Sequence, residues 1–245
     1  MNTMTDQIAE NYVKLQERVF LAAQRSGRDP NSITLLGVTK FQDVDAIRCA
    51  YRAGIRSFGE NRVQEALSKY QDSFRQEMPG IHLDMVGNLQ KNKINKILAG
   101  FDGIQSIGSL GMLCAILDRA APREKPFRLF LELHTGEESK SGFPTVEDLL
   151  KGVEYYLEKW ESAKWLSASF PLVGLMTMAP FTQDIQMRRQ SFRSLKRAFG
   201  KISNECTIES FKELSMGMSM DFETAVEEGS TIIRIGTALF GARNA

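Results

Sequence analysis

Lys40 stands where a lysine is unexpected. The run Ile33-Thr34-Leu35-Leu36-Gly37-Val38 has the continuous apolar character of a strand buried on both faces. One residue after Thr39, the chain carries an ammonium group. Lysine is rarely buried unless it is paired. At a strand exit it either snorkels into water or acts as an amine nucleophile toward a carbonyl. Taken alone, the first reading is the commoner one. Two stretches near the C-terminus favour the second. Ser215-Met216-Gly217-Met218-Ser219 and Arg234-Ile235-Gly236-Thr237 offer small residues, hydroxyls and accessible amides, the donors from which phosphate cradles are built. Arg234 lies among isoleucines, either as a fixed cation facing a ligand or as a structural cation paired with a carboxylate such as Glu213 or Asp221. An amine and a phosphate cradle together suggest a phosphorylated carbonyl compound held as a Schiff base.

These groups need a scaffold that brings strand exits together. Strand-like runs recur near Ile33–Thr39, Ile55–Gly59, Ile81–Gly87, Gly103–Ile107, Phe127–His134, Leu172–Met178, Phe211–Met216 and Thr231–Ile235. Helical patterns separate them: Val44–Ala53, Val63–Gln71, Asn92–Leu98, Leu110–Ala120, Val146–Trp160, Ile185–Ser203 and Phe222–Glu227. Alternation of this kind predicts right-handed βαβ units around a parallel sheet. Eight units in 245 residues fit a closed (β/α)8 TIM barrel better than an open sheet. An open sheet would carry a glycine-rich fingerprint after its first strand, and Lys40-Phe41-Gln42-Asp43 has no glycine. The expectation is one domain over residues 1–245, with the barrel proper at about 33–243 and an extra amphipathic helix over Met4–Arg25. Val13, Leu15, Val19, Phe20 and Ala23 would form the apolar face of that helix. Since barrel enzymes keep their chemistry at the C-terminal strand ends, Lys40 would present its amine across the mouth from the cradle.

Several function classes recede. With 31 basic and 30 acidic side chains the chain lacks the basic excess of a general nucleic-acid binder. The N-terminal segment has no continuous apolar run of the secretory kind, and no stretch is long enough for a membrane span. Cys49, Cys114 and Cys206 form no C-x-x-C pair, so reduced thiols in the cytoplasm are expected. His82 and His134 stand without metal-site spacing. The segment Gly136–Gly142 resembles a P-loop superficially but lacks glycine before Lys140. The basic run Arg188–Arg197 has apolar residues at helical spacing and reads as an outer helix with one solvated face.

In order along the chain stand GVTK, FGENRVQE (Phe58–Glu65), GNLQKNK (Gly87–Lys93), ESKSGF (Glu138–Phe143), GLMTMAP (Gly174–Pro180), LSMGMS (Leu214–Ser219) and EEGSTIIRIGTALFGAR (Glu227–Arg243). Together they resemble the pyridoxal-phosphate homeostasis protein family, whose fold is similar to the barrel domain of alanine racemase. The resemblance implies a barrel carrying pyridoxal 5′-phosphate. It implies that Lys40 forms a covalent aldimine with the cofactor, that Ser219, Gly236 and Thr237 bind its phosphate, and that Arg234 faces its pyridine nitrogen. Asn61 and Met218 would line the pocket. Two positions depart from the family pattern, Asp84 where histidine is common and His134 where asparagine is common.

An arginine at the pyridine nitrogen cannot accept its proton, which weakens the ring as an electron sink. The related racemases compensate with a second base, a tyrosine. The five tyrosines here, Tyr12, Tyr51, Tyr70, Tyr155 and Tyr156, all fall in helical segments, so a second base is not expected. The sequence therefore suggests storage, buffering or delivery of pyridoxal phosphate in the cytoplasm by a monomer without robust catalysis. Amino acids and pyridoxal-phosphate-dependent acceptor enzymes would be its possible partners. The alternatives are a racemase-like enzyme completed by a dimer partner and an aldolase-like barrel acting on a sugar phosphate.

Overall fold

A computed structural model of the protein describes residues 4–136 and 141–241. Eight parallel strands close into a barrel: β1 Thr34–Val38, β2 Ser57–Glu60, β3 His82–Met85, β4 Gly103–Ile107, β5 Arg128–Glu132, β6 Leu172–Met176, β7 Glu213–Met218 and β8 Ile232–Ile235. Each strand pairs with its neighbours in chain order, and β1 closes the ring against β8 with Leu36 opposite Arg234. The helices are α1 Met4–Arg25, α2 Val44–Ala53, α3 Val63–Lys69, α4 Asp72–Glu77, α5 Ile94–Gly100, α6 Leu110–Leu117, α7 Val146–Ser162, α8 Leu166–Ser169, α9 Ile185–Glu205, α10 Phe222–Glu227 and α11 Thr237–Phe240. The eight strands and the longer helices fall where the hydrophobic periodicity predicts them. The helices α4, α8 and α11 lie outside the expected segments: α8 and α11 have four residues each, too few to display a 3.6-residue repeat, and α4 follows α3 almost directly.

Local chemistry fixes several boundaries. The Asp43 carboxylate accepts from the Ala46 amide at 2.7 Å to start α2, and Gly54 ends it with φ of 118°. Thr145 and Asp184 cap α7 and α9 in the same way. The strands alternate their faces. Leu35, Leu83, Ile104, Leu129, Ile233 and Ile235 pack outward with the helices, whereas Leu36, Phe130, Met176 and Ile232 fill the barrel interior. Each fully buried aliphatic or aromatic side chain contributes about 1.5–3 kcal/mol.

The buried face of α1 is Ile8, Leu15, Val19, Ala22 and Ala23. Val13 and Phe20 were expected on that face but are 53% and 50% exposed. They follow one another at i,i+7 along a neighbouring stripe, which the barrel does not reach. α1 spans the closing seam: Asn11 donates to the Leu239 carbonyl at 2.9 Å, and Arg28, just past the helix, donates to the carbonyls of Val226 and Ser230. Among the described residues, no helix is long and apolar enough to cross a membrane.

Candidate functional site

A cavity of about 410 Å³ opens at the C-terminal strand ends, lined by Lys40, Met218, Ser219, Arg234, Gly236 and Thr237 together with Val38, Arg188 and the 178–182 loop. A larger cavity of about 680 Å³ lies between α1 and the start of β1. It has no comparable set of amine, guanidinium and hydroxyl groups, so chemistry rather than size selects the smaller one. The geometry corrects one expectation. Lys40 does not reach across the mouth, because ring closure makes β8 the direct neighbour of β1. Lys40, Ser219, Gly236 and Thr237 therefore stand side by side at the exits of the contiguous strands β7, β8 and β1. Asn61 stands apart. It lines an adjacent cavity of about 370 Å³ with Arg62, Asn88 and Lys93, and its buried side-chain oxygen has no hydrogen-bond partner. The chain packs tightly there: a side chain at Gly87 would meet the Asn61 carbonyl at 2.4 Å.

A break in the β7 ladder redirects the chain before Ser219. Gly217 has φ of 97°, and the β7–β8 register shifts between Ser215 and Met218, the mark of a bulge. A Cβ at Gly217 would come 2.5 Å from that of Ala225, so α10 also requires glycine there. The chain then turns at once, with the Met218 amide donating to Asp221 at 2.6 Å. Ser219 swings beside α11, where its hydroxyl accepts from the Ala238 amide at 3.2 Å.

Arg234 points inward and is 4% exposed. Its guanidinium donates to the Ser215 hydroxyl at 2.7 Å and the Thr177 carbonyl at 2.8 Å, and Glu132 and Asp221 lie near enough to act on its charge. Ser215 in turn donates to Gln105 at 2.6 Å, and the Gln105 amide donates to Asp84 at 2.6 Å. Arg128 and His82 also bond Asp84, at 2.8 and 2.9 Å. The barrel interior thus holds a directed row of donors that ends on one carboxylate. Burial alone would raise the Asp84 carboxyl, but Arg128 and the bonds from His82 and Gln105 outweigh it and hold it at about 2. Burial pushes the Arg234 guanidinium down to about 10 against the pull of Glu132 and Asp221, so it stays protonated at neutral pH.

The Lys40 flank is held differently. The Thr39 hydroxyl donates to Glu60 at 2.8 Å, and its amide donates to the Gly59 carbonyl at 2.9 Å. Lys69 donates to the Thr39 carbonyl, Glu60 and Glu65 at 2.8, 3.0 and 2.6 Å. Burial raises the Glu60 carboxyl despite Lys69, and one of its oxygens has no partner. Tyr12, Tyr51, Tyr155 and Tyr156 lie in helices as expected. Tyr70 departs from that expectation. It falls one residue past α3, and its hydroxyl lies 2.9 Å from that of Thr39 at the strand exit.

Arg188 lines the same cavity, which its sequence context did not suggest. Its place in a basic amphipathic run suggested a solvated face, yet it is 7% exposed and donates to the carbonyls of Thr182 and Met220, tying two strand-exit loops together. Its neighbours Arg189 and Arg193 are engaged by Glu227 and Glu228. A single arginine turned inward leaves no mark on helical periodicity. The loop read as a failed P-loop lies largely outside the described residues.

Comparison with known proteins agrees with this fold. The chain matches the family model "Alanine racemase, N-terminal domain" over residues 5–244. It is 34% identical to the pyridoxal phosphate homeostasis protein of Aquifex aeolicus, covering 96% of this chain and 97% of that one. The solved structure of PipY of Synechococcus elongatus with pyridoxal phosphate bound superposes with a TM-score of 0.75 at 32% identity, covering 96% of this chain and 100% of the other. Alanine racemase from E. faecalis shares the fold, with a TM-score of 0.66 at 18% identity over 98% of this chain and 59% of that one. The chain accordingly belongs to the alanine racemase N-terminal-domain family and, within it, to the pyridoxal phosphate homeostasis proteins.

Proposed function

We propose that this protein binds pyridoxal 5′-phosphate for cofactor homeostasis, with Lys40 as its covalent attachment point. The observation that carries the reading is one cavity lined by a primary amine, a buried guanidinium and a set of hydroxyl and amide donors. The space beside Gly236 is open: a Cβ there would meet nothing closer than the Val38 carbonyl at 3.8 Å. When bound, the cofactor supplies an aldehyde that a primary amine captures with loss of water, and an anionic phosphate. Ser219, Gly236 and Thr237 would hold the phosphate through hydroxyl and backbone donors. Arg234 would serve the pyridine nitrogen as a donor that keeps its own protons at neutral pH. Met218 would pack against the ring, and Asn61 would meet the rim from the neighbouring cavity.

Tyr70 is a poor second base, because burial pushes its hydroxyl far above the usual phenol range and it bonds Thr39. This supports a role in storage, buffering and delivery by a single cytoplasmic barrel domain acting as a monomer. Amino acids and acceptor enzymes would exchange with Lys40 for the aldehyde. The test compares wild type with Lys40→Ala after incubation with pyridoxal phosphate and borohydride. The wild type should carry label on the Lys40 peptide and the variant almost none; equal labelling of both refutes the assignment.

A further inference from the structure

Lys40 occupies the corner of a tight turn. The Gln42 amide donates to the Thr39 carbonyl at 2.9 Å, and Phe41 has φ of 63°. A positive φ at the third position of such a turn favours glycine. Phe41 is the one non-glycine residue with positive φ among the described residues. Its ring is covered by the Arg62 guanidinium at 5.1 Å, which does not account for the backbone conformation.

Two side chains one helical turn apart on α3 hold the backbone on either side of Lys40. Glu65 accepts from the Phe41 amide at 2.6 Å, while Lys69 donates to the Thr39 carbonyl at 2.8 Å. The two also bond each other at 2.6 Å, an i,i+4 pair on one helix face. The residues on both sides of Lys40 are thus gripped from outside the barrel. Neither Glu65 nor Lys69 lines the Lys40 cavity.

We propose that Glu65 and Lys69 are positioning residues that hold the Thr39–Phe41 backbone in its left-handed corner and so set the rate at which Lys40 captures an aldehyde. The proposal rests on Lys40 being the attachment point. In the capture, the lone pair of neutral Nζ forms a bond to the aldehyde carbon. The carbonyl oxygen leaves as water with the two amine protons, and a C=N bond remains. Glu65 and Lys69 exchange no proton in this step; their contribution is orientation. A left-handed residue other than glycine reverts to extended or helical geometry unless its surroundings forbid it. Releasing the clamp therefore swings the Lys40 side chain away from its aim.

The experiment follows pyridoxal phosphate labelling of the Lys40 peptide over time, trapped by borohydride and normalised to folded protein. Glu65→Ala should slow labelling by about tenfold, the scale set by strain of this class. Glu65→Gln keeps an acceptor for the Phe41 amide and should stay within about twofold of wild type. Adding Phe41→Gly to Glu65→Ala should recover most of the rate, because glycine adopts this φ without support. Wild-type labelling in Glu65→Ala, or no recovery in the double variant, overturns the clamp while leaving Lys40 as the attachment point. If Glu65→Ala does not fold, Lys69→Met takes its place with the same outcomes. Absence of label on Lys40 in the wild type instead removes the underlying assignment.

Discussion

The two flanks of the cavity are held by opposite means. On the Lys40 flank, α3 grips the backbone from outside the barrel through residues that touch water, Glu65 and Lys69. On the Arg234 flank, side chains from β3, β4 and β7 form a sealed row inside the barrel, running through Ser215 and Gln105 to Asp84. A grip made at the solvent edge can loosen with little cost to the fold. A buried polar row cannot, since each donor left without its acceptor bears the full cost of desolvation. Damage on the Arg234 side should therefore appear as lost stability, and damage on the Lys40 side as lost reactivity.

The largest effect should come from Asp84→Asn, which removes the carboxylate that ends the row and balances Arg128. A loss of about 3 kcal/mol is expected by urea unfolding. Asp84 also gives this flank an acid signature. Its carboxyl is held at about 2, below the ordinary unfolded value near 4. It contributes stability above that value and loses it as pH falls toward 2. Asp84→Asn should flatten the acid-unfolding curve in that window, and an unchanged curve would show that the ion pair does not form.

Ser215→Ala comes next, with about 1–3 kcal/mol lost because a guanidinium N–H and the Gln105 carbonyl both lose their partner. The visible absorbance of pyridoxal phosphate bound to this variant should also shift; the same substitution with unaltered stability and spectrum would erase the contrast between the flanks.

The smallest effect should follow Glu60→Gln on the Lys40 side, under about 1 kcal/mol at neutral pH, because burial already disfavours the charge and one oxygen has no partner. The sign is opposite to that of Asp84. A raised carboxyl stabilises below its unfolded value and loses that contribution as pH rises through its folded one. Relative to wild type, Glu60→Gln should thus gain in thermal unfolding at pH 8 compared with pH 4.

That Lys40, Ser219, Arg234, Gly236 and Thr237 share one cavity could be read from the sequence, because barrel geometry gathers the strand exits at one mouth. Lys40 and Arg234 draw notice as charges among apolar residues, and Ser219, Gly236 and Thr237 as small residues and hydroxyls in the last two strand-exit loops. Adjacency was harder, since only closure of the ring shows that the last strand lies against the first. The row through Asp84 was invisible. Its members are ordinary polar residues on separate strands, and Asp84 was noticed only as a departure from the family pattern. Arg188 was misread for the reverse reason, a strong helical pattern concealing one residue turned inward. Glu65 and Lys69 have the spacing of any solvent-facing helix pair, and nothing local distinguishes them.

The seam between β1 and β8 has a consequence for how the protein is made. Lys40 leaves the ribosome well before Arg234, Gly236 and Thr237, and the register that joins Leu36 to Arg234 ties the first strand of the barrel to its last. Contacts so distant in sequence form late and slowly. A nascent or truncated chain would carry Lys40 without the β7 and β8 residues that share its cavity. Any ligand held between Lys40 and Thr237 binds only the zipped ring, and by mass action it favours completion of the barrel.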